Sequence, residues 1–472
     1  MSVPVISLAQ MREWESANWA AGRTEMEIIR RVGGVLACRA SELTHPGDAI
    51  LILAGKGHNG DDARAAQEFL TDRRVAMLNV TAPESNLPEL EKALSQKPAL
   101  IIDGLFGIGL NRPLAGDWKK IIETVNRSGI PILAVDVPSG LNADTGEPAT
   151  PGAVIEAAIT LTIGAPKTGL LAPNAWAFVG RLEVADDVGL TPCPPAGELN
   201  WTLPEDFRNF PPRRPVAGHK GTFGHLGIVA GSLGFHGAAV LAAHAAQRAQ
   251  PGLITLFTQE SVYHAVAAQL QAVMVNLWMP DSKRPDTASA ILIGPGLAAP
   301  GLADTMSLVT RRIWRDSLLP VIVDASALDW LSVGASAKNA IRVLTPHPGE
   351  AARLLNVPKQ QIQANRPQAV REISRRFGNC WVVLKGHQTL VGRSEGQIFV
   401  NPSGNPHLAQ GGSGDALAGY LAGLLAQRPL QADVGKLIRY AVWQHGAAAD
   451  KLQAARANWV VEDLIGELGN AR

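Results

Sequence analysis

The densest chemistry in the chain lies at Gln410–Gly419, QGGSGDALAG, ahead of an apolar run at 416–426. Gly411, Gly412 and Gly414 expose successive backbone N–H groups where a helix begins. Such a turn holds an anion or a phosphoryl group in transfer. Asp415 falls on the first turn, placed to take a proton from a hydroxyl as it attacks phosphorus. Three glycines are more than a helix cap needs. Lys385-Gly386-His387-Gln388-Thr389 follows the run WVVL, where a lysine can meet a phosphate as a point charge. TPHPGE (345–350) follows IRVL, and GPGL (294–297) follows AILI. His347 reads as a ligand contact, with a structural loop residue as the alternative.

A second group of candidates occupies the first half. AILILAG leads into Lys56-Gly57-His58-Asn59-Gly60-Asp61-Asp62. A Gly-rich turn of this kind lets the backbone approach a phosphate; an ordinary tight turn capped by Asp61 or Asp62 is the other reading. Asp103 opens DGLFGIGLNRP and Asp136 opens DVPSG. Two strand-terminal carboxylates, Asn59 and the Ser139 hydroxyl make an all-oxygen pocket, which suits a hard cation rather than zinc.

These positions presuppose strands that end beside them. Apolar runs at 49–54, 75–80, 99–103, 132–136 and 158–163 predict buried strands, with helical patterns at 63–70 and 118–125 between them. The second half repeats the rhythm: strands at 226–230, 253–257, 290–293, 321–324, 341–344 and 381–385. Helices are predicted at 238–250, 303–316, 350–355, 366–377, 415–427 and 432–450. Strand–helix alternation implies a parallel sheet covered on both faces, so the fold class is α/β with two three-layer α/β/α domains. The domains are expected at 1–205 and 219–472. Between Thr191 and Gly218 lie seven prolines, which disfavour helix and strand alike, so a linker is expected there, with 206–218 as its core.

Composition narrows the function classes. The 472 residues suffice for two or three domains. Lys+Arg of 43 against Asp+Glu of 42 leaves a net charge of +1, against a dedicated nucleic-acid or anionic-membrane binder. Three scattered cysteines exclude a disulfide framework and a CxxC metal site. No apolar run reaches the ~18 residues of a membrane span. MSVPVISLAQMREWE shows no basic n-region with an apolar core, so a cytoplasmic protein is expected. Glycine is enriched, at 47 of 472, about 10% against an average near ~7%.

The ordered motifs GKGHNGDD, DGLFGIGL and DVPSGLNADTG resemble the NAD(P)H-hydrate epimerases, whose first motif is usually GNNGGDG. His58, Asp61 and Ala63 stand where Asn, Gly and Gly are usual, while Asn59 and Asp62 are retained. The resemblance implies a Rossmann-like domain in which Asn59, Asp103 and Ser139 hold potassium. His58, Asn59, Gly60, Asp61, Asp62, Gly107, Ile108, Gly109, Leu110, Asn111, Arg112, Pro113 and Asp136 would line the substrate site. The implied isomerase interconverts the R and S hydrates at C6 of the reduced nicotinamide, with Asp136 and then Asp62 as the first choices for proton transfer.

HKGTFG, GSLGFHGAA, GPGL, TPHPGE, KGHQT and QGGSGD together resemble the ADP-dependent NAD(P)H-hydrate dehydratases of the ribokinase-like superfamily. Ala298 replaces the glycine that usually completes GPGLG. The resemblance implies a lyase that spends ADP, with Mg2+ bridging its phosphates. Lys385, Gly386, His387, Gln388, Thr389 and Gly414 would contact the adenine nucleotide. Ala238, Gly296, His347 and Asp415 would contact the hydrated nucleotide (NADHX or NADPHX). Homo-oligomers are implied; neither nucleic acid nor membrane is expected as a partner. Two alternatives stay open: a sugar or vitamin kinase of the same superfamily, and a first half that binds nucleotide or supports assembly without catalysis.

Overall fold

Runs such as AILILA and ITLTI have no polar face to give to water, and the chain buries them on both sides of parallel sheets. The computed structural model describes residues 2–279, 285–337 and 339–471. It divides into two units, one spanning Val3–Trp201 and the other Thr202–Arg472.

In the first unit β1 (Ala49–Ala54), β2 (Arg74–Asn79), β3 (Leu100–Gly104), β4 (Ile132–Val135), β5 (Ile159–Ile163) and β6 (Arg181–Ala185) form one sheet of six strands. Every pair is parallel, in the order β2-β1-β3-β4-β5-β6. The edge strand β2 alternates exposed and covered residues, unlike the fully buried β3 and β5. After β1 the chain crosses to β2 and then returns to the opposite side of β1. That reversal opens a crevice at the carboxyl ends of β1 and β3, where ligands bind in such sheets. Helices α1 (Leu8–Ala20) and α2 (Glu25–Glu42) precede the sheet, and α3 (His58–Ala66) follows β1. Neither α1 nor α2 was anticipated. Residues 58–62, expected as a turn before a helix at 63–70, are the opening turns of α3 itself.

In the second unit the strands are β7 (His225–Val229), β8 (Leu253–Thr258), β9 (Met274–Leu277), β10 (Ala290–Ile293), β11 (Val321–Val323), β12 (Arg342–Leu344), β13 (Trp381–Leu384), β14 (Leu390–Gly392) and β15 (Ile398–Val400). Their order is β15-β14-β13-β12-β11-β10-β7-β8-β9, parallel from β13 to β9, with β14 and β15 antiparallel. The reversal here lies between β7 and β10. Helices α4 (His236–Arg248), α5 (Pro348–Leu355), α6 (Ser413–Leu425) and α7 (Val434–Ala455) carry the candidate residues or back them. Helices α4 and α6 pack unusually closely: a Cβ at Gly419 would sit 2.0 Å from the Ala242 carbonyl oxygen, and one at Gly423 2.7 Å from that of Ala246. Alanines on one helix and glycines on the other let the backbones touch, which fixes the anion loop against the start of α4.

The proline-rich stretch joins the second unit over part of its length. Phe207 is buried there, stacked near Tyr440 and Trp443 at 5.5 and 5.3 Å, and Phe210 meets Tyr440 at 5.1 Å. Proline excludes regular structure without preventing aromatic burial. The division between units therefore falls at Trp201/Thr202, ahead of the expected linker at 206–218.

Candidate active sites

Both sheets bring their polar residues to the carboxyl ends of their parallel strands. In the first unit Asp103, the fourth residue of β3, is fully buried. Its Oδ1 accepts from Ser139 Oγ at 2.7 Å and Leu105 N–H at 3.2 Å, and its Oδ2 accepts from Ser139 N–H at 2.9 Å. Burial raises its pKa to about 6 against the pull of these bonds. Asn59, on the first turn of α3, donates to the Phe106 carbonyl at 3.0 Å. A Cβ at Gly107 would lie 3.0 Å from Asn59 Oδ1. Asn59, Asp103 and Ser139 thus converge as anticipated, and the Phe106 carbonyl joins them.

Asp136 follows β4 with φ +63°, a left-handed conformation that costs an L-residue about 1–3 kcal/mol. Its Oδ1 accepts from Lys167 Nζ at 2.5 Å, Ile163 N–H at 2.9 Å and Thr162 Oγ at 3.0 Å. Asp62 is buried close by. Burial first, then the charges of Asp136, Asp61 and Glu15, hold its pKa well above the usual carboxylate range. Glu15 on α1 is raised as well, by burial and then by Asp136. The unit therefore gathers Glu15, Asp62 and Asp136 around the buried cation Lys167. Asp61 pairs with Arg64 at 2.7 Å and His58 lies 3.8 Å from Glu25, so the unusual residues of the loop are engaged at the helix surface. Residues 107–113 form a loop with exposed Gly109, Asn111, Arg112 and Pro113 and partly covered Gly107, Ile108 and Leu110.

In the second unit Asp415 sits on the first turn of α6, beyond Gly412 at φ +93°. Burial, then the charges of Asp324 and Glu350, raise its pKa to about 7, with Lys385 opposing. Lys385 Nζ donates to Asp324 Oδ1 at 2.8 Å and lies 3.8 Å from Glu350 Oε2. Burial alone would depress this lysine, but the two acids outweigh it and the net shift is upward. Thr345 Oγ donates to the same Asp324 oxygen at 2.7 Å. His347 caps α5 through Nδ1, which accepts from Gly349 N–H at 2.9 Å; Glu350 answers by accepting from His347 N–H at 2.8 Å. Burial lowers the pKa of His347. A Cβ on Gly414 would lie 3.4 Å from Lys385 Nζ, so the anion loop and the lysine share one space.

The loops after β7 and β10 also meet. Ser232 Oγ donates to the Gly296 carbonyl at 2.6 Å. Gly296 has φ +66°, and a Cβ there would strike the Phe235 carbonyl at 2.3 Å and Ala238 Cβ at 2.9 Å. Only glycine fits, and the fit brings Ala238 and Gly296 together. The 385–389 turn is shaped from beneath: Arg366 donates to the His387 carbonyl at 2.5 Å and to those of Gln388 and Leu384 at 3.2 Å. Thr389 Oγ closes it onto the Gly386 carbonyl at 3.0 Å.

Sequence reading missed Asp324, Glu350, Lys167 and Glu15 as site residues. Asp324 and Glu350 carried usable signals, a strand-terminal acid and the third helical position of a capping box. Lys167, four residues past β5, and Glu15, on an N-terminal helix, carried none. It also missed His445, buried on α7, whose Nε2 lies 3.0 Å from the Ser413 carbonyl. A carbonyl only accepts, so Nε2 bears the proton, and burial keeps the ring neutral with a pKa of about 4. His445 thereby braces the start of α6.

Comparison with known proteins finds relatives for both halves of the chain. A family model described as NAD(P)H-hydrate dehydratase matches residues 226–468, and one described as YjeF-related protein N-terminus matches residues 73–169. A protein of Gloeobacter violaceus named bifunctional NAD(P)H-hydrate repair enzyme Nnr is 34% identical over 95% of this chain and 94% of its own. Proteins with the same name from Coxiella burnetii and Escherichia coli are 34% and 33% identical, each over 94% of this chain and over 93% and 88% of their own. A Bacillus subtilis ADP/ATP-dependent NAD(P)H-hydrate dehydratase, co-crystallised with ATP/Mg2+, superposes with a TM-score of 0.50 at 31% identity. The match covers 57% of this chain and 95% of that one.

Proposed function

Because the chain belongs to the family of bifunctional NAD(P)H-hydrate repair enzymes, we propose that each cluster performs one half of the repair. The first unit interconverts the R and S hydrates. The second converts the S hydrate to NAD(P)H at the expense of ADP, giving AMP and phosphate. The grouping of Asp415 with Lys385 beside the anion loop carries this reading.

In the second unit Asp415 takes the C6 hydroxyl proton as that oxygen attacks the terminal phosphorus of ADP. A base with a pKa of about 7 is matched to proton transfer at neutral pH. Backbone N–H groups of the 411–414 loop and Lys385 offset the charge on the phosphoryl oxygens. The C6 phosphate then leaves, pushed out by the ring nitrogen, and the resulting iminium loses its C5 proton, which restores the C5–C6 double bond. The 385–389 turn and Gly414 hold the adenine nucleotide; Ala238, Gly296 and His347 hold the hydrate. The carboxylate of Glu350 is an oxygen donor that would suit a magnesium–phosphate complex, in which the ion would offset phosphate charge. A kinase would leave a stable phosphorylated product. Incubation with mixed hydrates and ADP should regenerate the reduced-nicotinamide absorbance with stoichiometric free phosphate; a phosphorylated hydrate without phosphate release would sink the dehydratase reading.

In the first unit Asp136 holds and returns the proton while C6 inverts, either by ring opening or by loss and return of the hydroxyl. His58–Asp62 and the 107–113 loop line the substrate site. Asn59, Asp103, Ser139 and the Phe106 carbonyl suit potassium: all offer oxygen, and a carboxylate raised to about 6 by burial gains from a cation. The ion would neutralise Asp103 and fix the loops after β1 and β3. Replacing potassium with tetramethylammonium should lower the melting temperature of the first unit and slow epimerisation; indifference to the exchange would remove potassium from the reading. The three free cysteines fit a cytoplasmic location, and assembly into homo-oligomers rests on the resemblance. Among the described residues no helix is long and apolar enough to cross a membrane.

A further inference from the structure

Lys167 is the unused ionisable group whose surroundings say most. Its side chain has no exposed surface, whereas that of Asp136 keeps 9%. All three of its hydrogen bonds are accounted for: Asp136 Oδ1 at 2.5 Å, the Ile163 carbonyl at 2.8 Å and Thr162 Oγ at 3.1 Å. A lysine so enclosed has no proton to offer a substrate. A buried charge of this kind is tolerated only when paired and fully bonded.

The contacts on Asp136 are lopsided. Lys167, Thr162 Oγ and Ile163 N–H all converge on Oδ1. Among the described residues no donor reaches Oδ2. The carboxylate is also held in a left-handed backbone conformation at the end of β4. Three donors on one oxygen fix the plane and rotation of the group, and they leave its second oxygen as the one able to react.

We propose that Lys167 is a positioning residue for epimerisation, reserving Oδ2 of Asp136 for the migrating proton. This rests on Asp136 being the base of the first unit. In the ring-opening route, Oδ2 takes the C6 hydroxyl proton as the C6–N1 bond breaks and its electron pair passes to nitrogen. Reclosure on the other face re-forms that bond, and Oδ2 returns the proton. Asp136 and Lys167 both act on Asp62 of α3 and Glu15 of α1, which in turn feel Asp61, His58 and Arg12, and Lys167 also acts on the Cys193 thiol, so Lys167 is the buried cation facing these acids. Without it, Asp136 faces those acids alone and one of the three donors that fix its carboxylate is gone.

The test uses the full chain, assayed for epimerisation and, as an internal folding control, for ADP-driven dehydration of pure S hydrate. Lys167→Met should lower the epimerase kcat by about 100-fold or more with KM little changed. Thr162→Val, which keeps the lysine but removes one donor to Asp136 and one acceptor of the ammonium, should lower kcat by about 5–10-fold or more, one to two lost hydrogen bonds. An epimerase kcat within a factor of three of wild type in either variant, or a loss carried by KM instead of kcat, overturns the proposal. If Lys167→Met unfolds the first unit, Thr162→Val decides alone. Asp136→Asn separates the two layers of argument. Full epimerase activity in Asp136→Asn would remove the base itself, whereas an inactive Asp136→Asn beside wild-type-like lysine and threonine variants would remove only the role of Lys167.

Discussion

Asp415→Asn will abolish ADP-driven NAD(P)H recovery while the second unit becomes more stable at neutral pH. The catalytic loss should be about 10²–10⁴-fold, the usual contribution of general acid–base catalysis. The stability gain follows from the sign of the pKa shift. The folded pKa is about 7, above the ordinary carboxylate value, so ionisation is harder in the native state than in the unfolded chain. Below pH ~4 both states hold the proton, and Asp415 costs nothing. Between pH ~4 and ~7 the unfolded chain ionises first and the native state loses ground. Above that the penalty is constant, on the order of a few kcal/mol. Asn carries no charge, so its advantage should open between those pH values and plateau above them. Thermal unfolding of both proteins at pH 4.5, 6 and 8, beside an absorbance assay, checks both halves. A variant as active as wild type would remove the base. A variant with no pH-dependent gain would mean that burial does not set the pKa.

Lys385→Met will damage stability and nucleotide binding together. The lysine bridges Asp324, which is almost fully buried, and Glu350. Removing one partner of such a cluster leaves uncompensated charge, with a cost of about 3–5 kcal/mol. The melting temperature of this unit should fall by roughly 10 °C. Losing a charge-assisted hydrogen bond to phosphate should also raise the KM for ADP by about 10–100-fold. Adding Asp324→Asn to Lys385→Met separates the two effects. The double variant should regain most of the lost melting temperature and none of the lost affinity. Recovery of both, or of neither, would mean that Lys385 does not link the acid cluster to the nucleotide.

Much of this architecture was legible in the residues. Fully buried strands leave continuous apolar runs, so β1, β3, β4, β5, β7, β8 and β10–β13 were visible, within a residue or so at each end. The edge strand β9 and the short β14 and β15 were not, because edges and hairpins need neither length nor unbroken hydrophobicity. Helices α1 and α2 were missed too. Charged and polar residues interrupt the apolar ones throughout, and α1 has little amphipathic pattern. The loop at 58–62 read as a turn because glycine and aspartate are turn residues; here they serve as the polar first turns of a helix.

The residues by themselves determined the chemistry available: glycines ahead of a helix, a first-turn aspartate, acids at strand ends, and the two motif series that mark the family. Those features are local, set by bonding rules within a few positions. Tertiary structure decided which charges face one another. Lys167 is 31 residues from Asp136, Lys385 is 61 from Asp324, and His445 is 32 from Ser413. The first two pairings arise because parallel strands deliver their carboxyl ends to one crevice, and the third because two helices pack side by side, whatever the chain length between them. Burial then does what no spacing could announce. It raises Asp415 to about 7, Asp103 to about 6 and Asp62 well above its usual range, and it makes ordinary carboxylates into groups that can hold a proton or a cation at neutral pH.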